Sequence, residues 1–186
     1  MKKNIVIGIK MTLVLLVLLT VIYPLTVLAV AQIAPNNGRG EVVSYKQTQG
    51  YANIGQSFTS DEYFNGRPSA VDYNAAGSGG SNKGPSNKEY LAVVQGRIDT
   101  FLIKNPTIDK SNIPVDLVTG SGSGLDPNIS VESAKVQIDR IQKVRNIDKV
   151  KLISLIDKNT EHPFLSLFGP TKVNVLKLNI ALDQIK

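Results

Sequence analysis

The longest apolar segment of the chain lies close to its N-terminus. Residues 11 to 34 include no charged side chain, and the segment is longer than the roughly 20 residues with which an α-helix crosses the hydrocarbon core of a bilayer. The pattern therefore predicts a transmembrane helix. Pro24 lies inside this segment and is expected to disturb the helix, which membrane-embedded helices tolerate better than soluble ones.

The charges that flank this segment predict its orientation. Lys2, Lys3 and Lys10 precede it, whereas Arg39 is the nearest basic residue after it. Because cytoplasmic flanks carry the excess of basic residues, we expect the N-terminus in the cytoplasm and the following domain outside. The predicted division is a cytoplasmic segment, a transmembrane helix and an extracytoplasmic domain, at residues 1–10, 11–34 and 35–186.

A cleaved signal peptide would explain the apolar segment differently. Ala29-Val30-Ala31 fits the small-x-small pattern of a cleavage site. The segment is, however, longer than the roughly 7 to 15 apolar residues of a signal peptide. We therefore expect a retained anchor.

Three segments beyond residue 35 carry apolar residues at helical spacing. The first begins at a predicted capping box, residues 86–89, and ends before Asn105-Pro106. The second follows Ser130 as its N-cap, and the third begins at about Asp148. The apolar positions expected to face the core are Leu91, Val94, Ile98 and Phe101 in the first segment, Val131, Ala134, Ile138 and Ile141 in the second, and Val150, Ile153 and Ile156 in the third.

Other segments have the pattern of strands. Residues 41–45 and 54–58 are short β-type runs, and residues 176–182 alternate apolar with mostly polar side chains, as a half-buried strand does. The predicted fold class is α+β: a single N-terminal transmembrane helix followed by one small soluble α+β domain with long glycine-rich loops and a small antiparallel or mixed sheet.

Two glycine-rich segments, residues 65–87 and 120–127, are too polar to form core. Glycine, asparagine, serine and proline in such a mixture favour a shaped loop, and an ordered loop of roughly twenty residues in a small domain is usually functional. A mobile surface linker is the simpler interpretation, since glycine and serine also favour flexibility. Arg67 and Tyr73 within the first segment favour the shaped loop.

Composition narrows the choice of function. The chain has 186 residues and no cysteine, which excludes disulfides, thiolate metal sites and a cysteine nucleophile. The net charge is +6 and the three N-terminal lysines carry half of it. The remaining charges are scattered and aromatic residues are few, so the pattern gives no support for nucleic-acid binding.

The glycine-rich loops do not contain a complete phosphate-binding or catalytic motif. Neither glycine cluster completes a P-loop or a dinucleotide-binding fingerprint, and neither Ser121 nor Ser123 has the flanking glycines of a nucleophile elbow. His162 is the single histidine, and we expect it to be a surface residue. No catalytic or metal-binding residues are predicted. An envelope hydrolase and a membrane-anchored phosphate- or nucleotide-binding module remain alternatives to a protein that recognises partners.

Several long motifs occur in a characteristic order. They are YFNGRPSA at residues 63–70, YN at 73–74, SGGSN at 78–82, GPSN at 84–87, PVDLVT at 114–119, GSGLDP at 122–127 and VNVLKLN at 173–179. Together with the N-terminal span, this order resembles the KdpC family, and the resemblance covers nearly the whole chain.

The resemblance implies a non-catalytic accessory subunit of a high-affinity, ATP-driven potassium uptake pump in a bacterial plasma membrane. Members of the family are described as chaperone-like, supporting ATP binding by the P-type catalytic subunit. The implied partners are that subunit, a potassium-channel-like subunit and a small single-span subunit, together with membrane lipid. No cofactor is expected to bind tightly, and ATP is expected to act through the complex.

An outward-facing domain is separated from a cytoplasmic nucleotide site, so we expect assembly and coupling between subunits rather than a direct contact with ATP. The glycine-rich loops would then be contact surfaces, and arginine and tyrosine commonly dominate such interfaces. The candidate contact residues are Arg67, Tyr73, Asn74, Ser78, Asn82, Asn87, Asp116 and Asp126.

Overall fold

The computed structural model of the chain describes residues 2–45, 48–163 and 165–185. The chain forms two compact units, Met1–Glu41 and Val42–Lys186. The second unit combines helices with two small antiparallel sheets, which confirms the predicted α+β class. The predicted limits at residues 10, 34 and 186 remain predictions, because a helix does not by itself mark the borders of a bilayer, and Lys186 lies outside the described residues.

Most of the first unit is helical. Helices α1 (Lys2–Val17) and α2 (Tyr23–Ala31) are joined by a π-helical turn, Leu18–Ile22, into a helix of 30 residues that is long and apolar enough to cross a membrane. Pro24 follows the π turn closely. Since proline cannot donate to the carbonyl four residues earlier and clashes with it, a wider turn at this point relieves the conflict. The expected disturbance near Pro24 is therefore present as a π turn.

The second unit contains two sheets. Strands β1 (Val42–Tyr45) and β2 (Thr48–Tyr51) form an antiparallel pair. The other sheet has the order β3-β5-β4, with β3 at Asn128–Ile129, β4 at Thr160–Glu161 and β5 at Lys172–Asn174, and both of its pairs are antiparallel. The first predicted strand, residues 41–45, thus corresponds to β1.

Helices surround the central strand β5. The described part of this unit contains α3 (Lys88–Lys104), α4 (Val131–Lys135), α5 (Ile138–Arg145), α6 (Lys149–Lys158) and α7 (Val175–Asp183). Short 3-10 turns lie at Lys110–Asn112 and Val115–Leu117. The buried core cluster comprises Phe64, Ile129, Ala134, Ile138, Ile141, Leu152, Leu155, Ile156, Val173, Val175, Leu178 and Leu182.

Side-chain caps determine where several helices begin. Ser130 caps α4 as predicted, and Asp148, near which the third helix was predicted to begin, caps α6; they accept backbone N–H groups at 3.1 and 2.7 Å. The predicted capping box was wrong by one residue. Asn87, not Ser86, is the cap of α3, and its Oδ1 accepts the N–H of Tyr90 at 2.9 Å. Asparagine and serine cap helices about equally well, so the sequence did not distinguish them.

The predicted strand at residues 176–182 is wrong, because this segment forms α7. Asn174 caps the helix by accepting the N–H of Lys177 at 3.1 Å. Val175, Leu178 and Leu182 are buried at helical spacing. Over so few residues, alternating leucines satisfy the period of a strand and the period of a helix alike. The cap at the start of the segment was the better signal.

The predicted strand at residues 54–58 is also wrong. Gly55 donates its N–H to the carbonyl of Leu125 at 2.7 Å, and a Cβ at Gly55 would lie only 2.6 Å from the carbonyl oxygen of Asp126. The segment therefore runs close against the second glycine-rich loop, and this contact takes the place of strand pairing.

Helix α6 buries a different face from the predicted one. Leu152, Leu155 and Ile156 are buried, whereas Val150 and Ile153 are 71% and 37% exposed. Ile156 was predicted correctly. The segment has two overlapping apolar stripes, and contact with α5 and α7 selects the one that contains Leu152 and Leu155.

Helix α3 is present where it was predicted, but its apolar stripe is incompletely covered. No residue of α3 is fully buried. Val94, Ile98 and Phe101 are half-buried, and Leu91 is 51% exposed. The helix therefore lies on the surface of the domain with part of its apolar side open.

Candidate partner interface

The first glycine-rich loop begins at residues that are fixed to the core. Phe64 is fully buried, and the side-chain amide of Asn179 binds both its N–H and its C=O, each at 2.9 Å. Gln137 holds the next residue, Asn65, in the same way, at 2.8 and 3.1 Å. Gln137 also divides the predicted helix at residues 131–141 into α4 and α5. The loop thus leaves the core from a defined position.

Ser69 organises the following turn. Its hydroxyl donates to the carbonyl of Gly124 at 2.7 Å and accepts the N–H groups of Val71 and Tyr73 at 3.1 and 2.9 Å. Asp72 and Tyr73 adopt left-handed backbone angles, with φ of 50° and 58°. One hydroxyl therefore closes a tight turn and also attaches it to the second glycine-rich loop.

Glycines bring the two loops into backbone contact. The N–H of Gly79 donates to the carbonyl of Ser123 at 2.8 Å. Gly124 has a φ of +67°, and a Cβ there would lie 2.7 Å from a Val71 methyl carbon and 2.8 Å from the carbonyl oxygen of Gly79. A Cβ at Gly80 would lie 3.0 Å from the carbonyl oxygen of Gly122. The loops pack this closely because side chains are absent from their contact.

Gly124→Ala is expected to separate the loops. The added methyl group would meet two neighbours and a disfavoured backbone angle, so we expect a loss of about 1–3 kcal/mol in the free energy of unfolding. Gly122→Ala is the matched control, since open space surrounds that position. Chemical denaturation would measure the loss, and limited proteolysis of residues 66–87 would detect loosening of the loop. Equal stability of the two variants would contradict this packing.

A polar contact on the outer side reinforces the junction. Arg67 and Asp126 form a salt bridge of 3.0 Å, with side chains 25% and 28% exposed. The hydroxyl of Tyr73 donates to the carbonyl of Arg67. Burial raises the pKa of Tyr73, and the positive charge of Arg97 opposes this change. Tyr73 therefore remains a hydrogen-bond donor at neutral pH.

The eight predicted contact residues fall into three groups. Those at the junction of the two loops are Arg67 and Asp126, which pair across it, and Tyr73, which binds the carbonyl of Arg67 within the first loop. Those that fix the start of a helix are Asn87, at α3, and Asp116, which accepts the N–H of Ser130 at 2.8 Å. Those with exposed side chains in the first loop are Asn74, Ser78 and Asn82. A role of these residues in partner contact stays a prediction.

Potential metal-binding side chains are dispersed among the residues that the structure describes. Among those residues, no group of three or more histidine or acidic side chains could hold a metal ion. His162 is exposed, as predicted. The hydroxyl of Ser121 is buried without a hydrogen-bond partner, and that of Ser123 accepts the N–H of Leu125 at 3.1 Å. Within the described residues, neither serine hydroxyl is hydrogen-bonded to a basic side chain. The arrangement offers an ordered, largely polar surface.

Ser69 and Gly124 are central to this surface, yet neither was among the predicted contact residues. A weak signal existed for Ser69, because a serine hydroxyl can bond the N–H two residues further along the chain. Its bond to Gly124 joins positions 55 residues apart. A pattern within a short stretch of sequence cannot predict a contact between residues that far apart.

Fold and site together define a class of protein: a small α+β domain that carries an N-terminal helix suited to a membrane and presents two glycine-rich loops packed into one surface. Comparison with known proteins agrees. The sequence profile of the KdpC family, described as K+-transporting ATPase, c chain, matches residues 5–184.

Curated relatives match over all or nearly all of their length. The chain is 54% identical over 185 residues to the potassium-transporting ATPase KdpC subunit of Flavobacterium johnsoniae, covering 99% of this chain and 100% of that protein. It is 48% identical over 188 residues to the subunit of Bacteroides fragilis, covering 99% and 98%. It is 45% identical over 181 residues to that of Caldanaerobacter subterraneus subsp. tengcongensis, covering 96% and 94%. The chain therefore belongs to the KdpC family, and is a membrane-associated subunit of a K+-transporting ATPase.

Proposed function

We propose that this subunit is a non-catalytic accessory component that stabilises the assembled pump and supports ATP binding by its P-type catalytic subunit. The observation that carries this proposal is the pair of interlocked glycine-rich loops. They form an ordered surface whose outer side chains, such as Ser78 and Asn82, are exposed and form no hydrogen bond within the described residues. An ordered surface binds a partner at a lower entropic cost than a mobile linker does.

The proposed orientation places the N-terminus in the cytoplasm and the α+β domain outside. The flanking lysines support it through the positive-inside rule. In this orientation the domain is remote from cytoplasmic ATP, so its effect on ATP binding would be a coupling between subunits. Such coupling requires that the pump state with high ATP affinity also be the state that binds this domain more tightly.

The proposed partners are the channel-like subunit, the P-type subunit and the small single-span subunit of the pump, with lipid around the span. The loop surface would bind the channel-like subunit on the outer side. Nucleic acid is not among the proposed partners, and no tightly bound cofactor is proposed.

Ser78→Arg is expected to weaken assembly without unfolding the domain. The side chain of Ser78 is exposed, so an arginine there costs the isolated chain little but would obstruct a partner that contacts the loop. We expect recovery of the other subunits with the tagged full-length chain, from potassium-starved cells in mild detergent, to fall about tenfold, equivalent to about 1.4 kcal/mol.

The matched control is Ser154→Arg, which adds the same side chain to an exposed position of α6. It should recover the subunits as the unmodified chain does. Full recovery with Ser78→Arg would contradict a role of the loop surface in assembly. Recovery of the unmodified chain without other subunits would contradict the accessory-subunit function itself.

The role in ATP binding needs its own measurement. The ATP concentration that gives half-maximal ATPase activity should be higher for the pump prepared without this subunit than for the complete pump. ATP should leave the unfolding temperature of the purified chain unchanged. If the chain were instead a nucleotide-binding module, ATP at a hundredfold excess over its Kd would stabilise it by about 2.7 kcal/mol.

A further inference from the structure

Helix α3 is attached to the domain by its half-buried apolar side chains and by polar contacts at its middle and near its C-terminal end. Lys104 donates to the carbonyl of Thr59 at 2.8 Å and pairs with Asp61 at 3.0 Å. Arg97 donates to the carbonyl of Val118 at 3.1 Å. No residue of α3 is fully buried, and space remains between the helix and the rest of the domain.

That space is a groove of about 360 Å³ between α3 and the body of the domain. Its α3 side includes Val93, Gly96, Arg97 and Thr100, and its opposite side includes Phe58 and Leu117. Val93 is 50% exposed at the groove. The groove adjoins the loop surface, since Asn65 and Gly66 at the start of the first glycine-rich loop also line it.

Gly96 forms a notch in the α3 side of the groove. It lies in the middle of the helix, where glycine is disfavoured relative to alanine. No atom lies within 4 Å of the position that a Cβ would take, so the packing of the isolated domain does not require glycine here. Close approach of another chain is one physical reason to keep a helix surface this small.

The charges of the groove are of one sign. Arg97 and Lys104 line it, and no aspartate or glutamate is among the residues that the structure shows along it. Lys104 is already paired with Asp61, whereas Arg97 forms no ion pair within the described ranges. Arg97 therefore has the capacity to bind a carboxylate from outside the chain.

We infer that this groove, hereafter the α3 groove, receives an extended segment of another subunit of the pump. The segment would place a small apolar side chain at the notch of Gly96 and a carboxylate against Arg97. This inference rests on the proposed function, because it extends the proposed contact surface from the glycine-rich loops to α3. The part of the partner that is bound would be an apolar and acidic segment.

Photo-crosslinking in the assembled pump would identify the occupant directly. A photoreactive phenylalanine derivative at Val93, which borders the groove, should crosslink to another pump subunit. The same residue at Gln95, on the opposite side of α3, should not. We expect the crosslinked peptide to contain an aspartate or glutamate beside apolar residues. A crosslink to a second copy of this chain, or equal crosslinking from the two positions, would overturn the inference.

Filling the notch provides a second test. Gly96→Leu adds a good helix former where space is open, so the unfolding temperature of the purified chain should not fall. Recovery of the other subunits with the tagged full-length chain should drop at least about tenfold, the usual effect of obstructing a well-packed contact. The control, Gln95→Leu, places the same side chain at an exposed position of α3 outside the groove. It removes the side-chain bonds of Gln95 to Lys110 and Asp99 but should recover the other subunits normally.

Different outcomes would contradict the accessory function and the contact at the α3 groove. If the unmodified chain recovers no other subunit, the proposed function fails and the α3 groove has no pump partner. If the unmodified chain recovers them and Gly96→Leu does so equally well, the α3 groove is not a contact while the accessory function stands.

Discussion

Replacing Phe64 with alanine is expected to destabilise the domain more than any other single truncation proposed for this chain. The ring is fully buried in the main core cluster. Truncating a buried phenylalanine removes its transfer free energy and leaves a cavity, which typically costs about 3–5 kcal/mol. For a domain of this size we expect the unfolding temperature to fall by about 10 °C.

Phe64→Ala should loosen the first glycine-rich loop as well as the core, because Phe64 lies at the start of that loop. Its backbone is held on both sides by the amide of Asn179, and a cavity beside it would loosen that clamp. We therefore expect faster proteolysis at residues 66–87 as well as lower stability. Circular dichroism during urea unfolding of the full-length chain in detergent would give the free energy.

Phe58→Ala is the matched control for this change. Phe58 is half-buried and lies at the edge of the core, with its ring centroid 5.8 Å from that of Tyr63. We expect it to lose about 1 kcal/mol, since much of its surface already meets water. A loss below that value for Phe64→Ala would mean that Phe64 is not part of the core.

Replacing Arg140 with methionine is expected to cost about 3 kcal/mol, although the change makes the side chain more apolar. Arg140 is 6% exposed. It donates to the carbonyls of Asp61 and Tyr63, and to the side-chain oxygens of Gln137 and Asn105 at 2.7 and 3.3 Å. Without it the carbonyls of Asp61 and Tyr63 and the side-chain oxygen of Asn105 would lose this donor, and an unsatisfied buried polar group costs about 1–3 kcal/mol.

The effect of Arg140 is one of hydrogen bonding rather than of a direct ion pair. Burial lowers the pKa of the Arg140 guanidinium, and the nearby charge of Asp61 opposes this change. The guanidinium instead binds neutral oxygens in several directions at once. Arg140→Lys should therefore recover less than half of the loss, because an ammonium group lacks the planar, forked arrangement of donors.

Urea unfolding of the full-length chain would measure these effects. Lys143→Met is the control, since it removes one positive charge from an exposed position of the same helix. Its effect should stay within about 0.5 kcal/mol. Equal stability of Arg140→Met and this control would contradict a role of Arg140 in holding the segment at residues 61–65.

The sequence predicted those features whose signals lie within a few residues of each other. The apolar N-terminal segment, the cap at Ser130, the start of α6 near Asp148, and helix α3 all follow from neighbouring positions. The ordered motifs also indicated the KdpC family, which the comparisons confirm. Local signals were weakest where two of them competed, as at Ser86 and Asn87.

Features that depend on packing between segments far apart in the chain could not be predicted from the sequence. The segment of α7 satisfied the period of a strand and of a helix alike, and the choice followed from how Leu178 and Leu182 pack in the core. The buried face of α6 was decided in the same way. In each case the sequence offered two arrangements of similar local energy, and the burial of apolar surface selected one.

The sequence by itself determined the membrane-suited helix, the starts of α4 and α6 and the polar, glycine-rich character of the two loops. Only the tertiary structure decided that those loops pack on each other and that α3 leaves a groove beside Gly96. The physical reason is distance along the chain. Ser69 bonds a residue 55 positions away, and Phe64 one that is 115 away. Such contacts exist only after the core has brought the segments together.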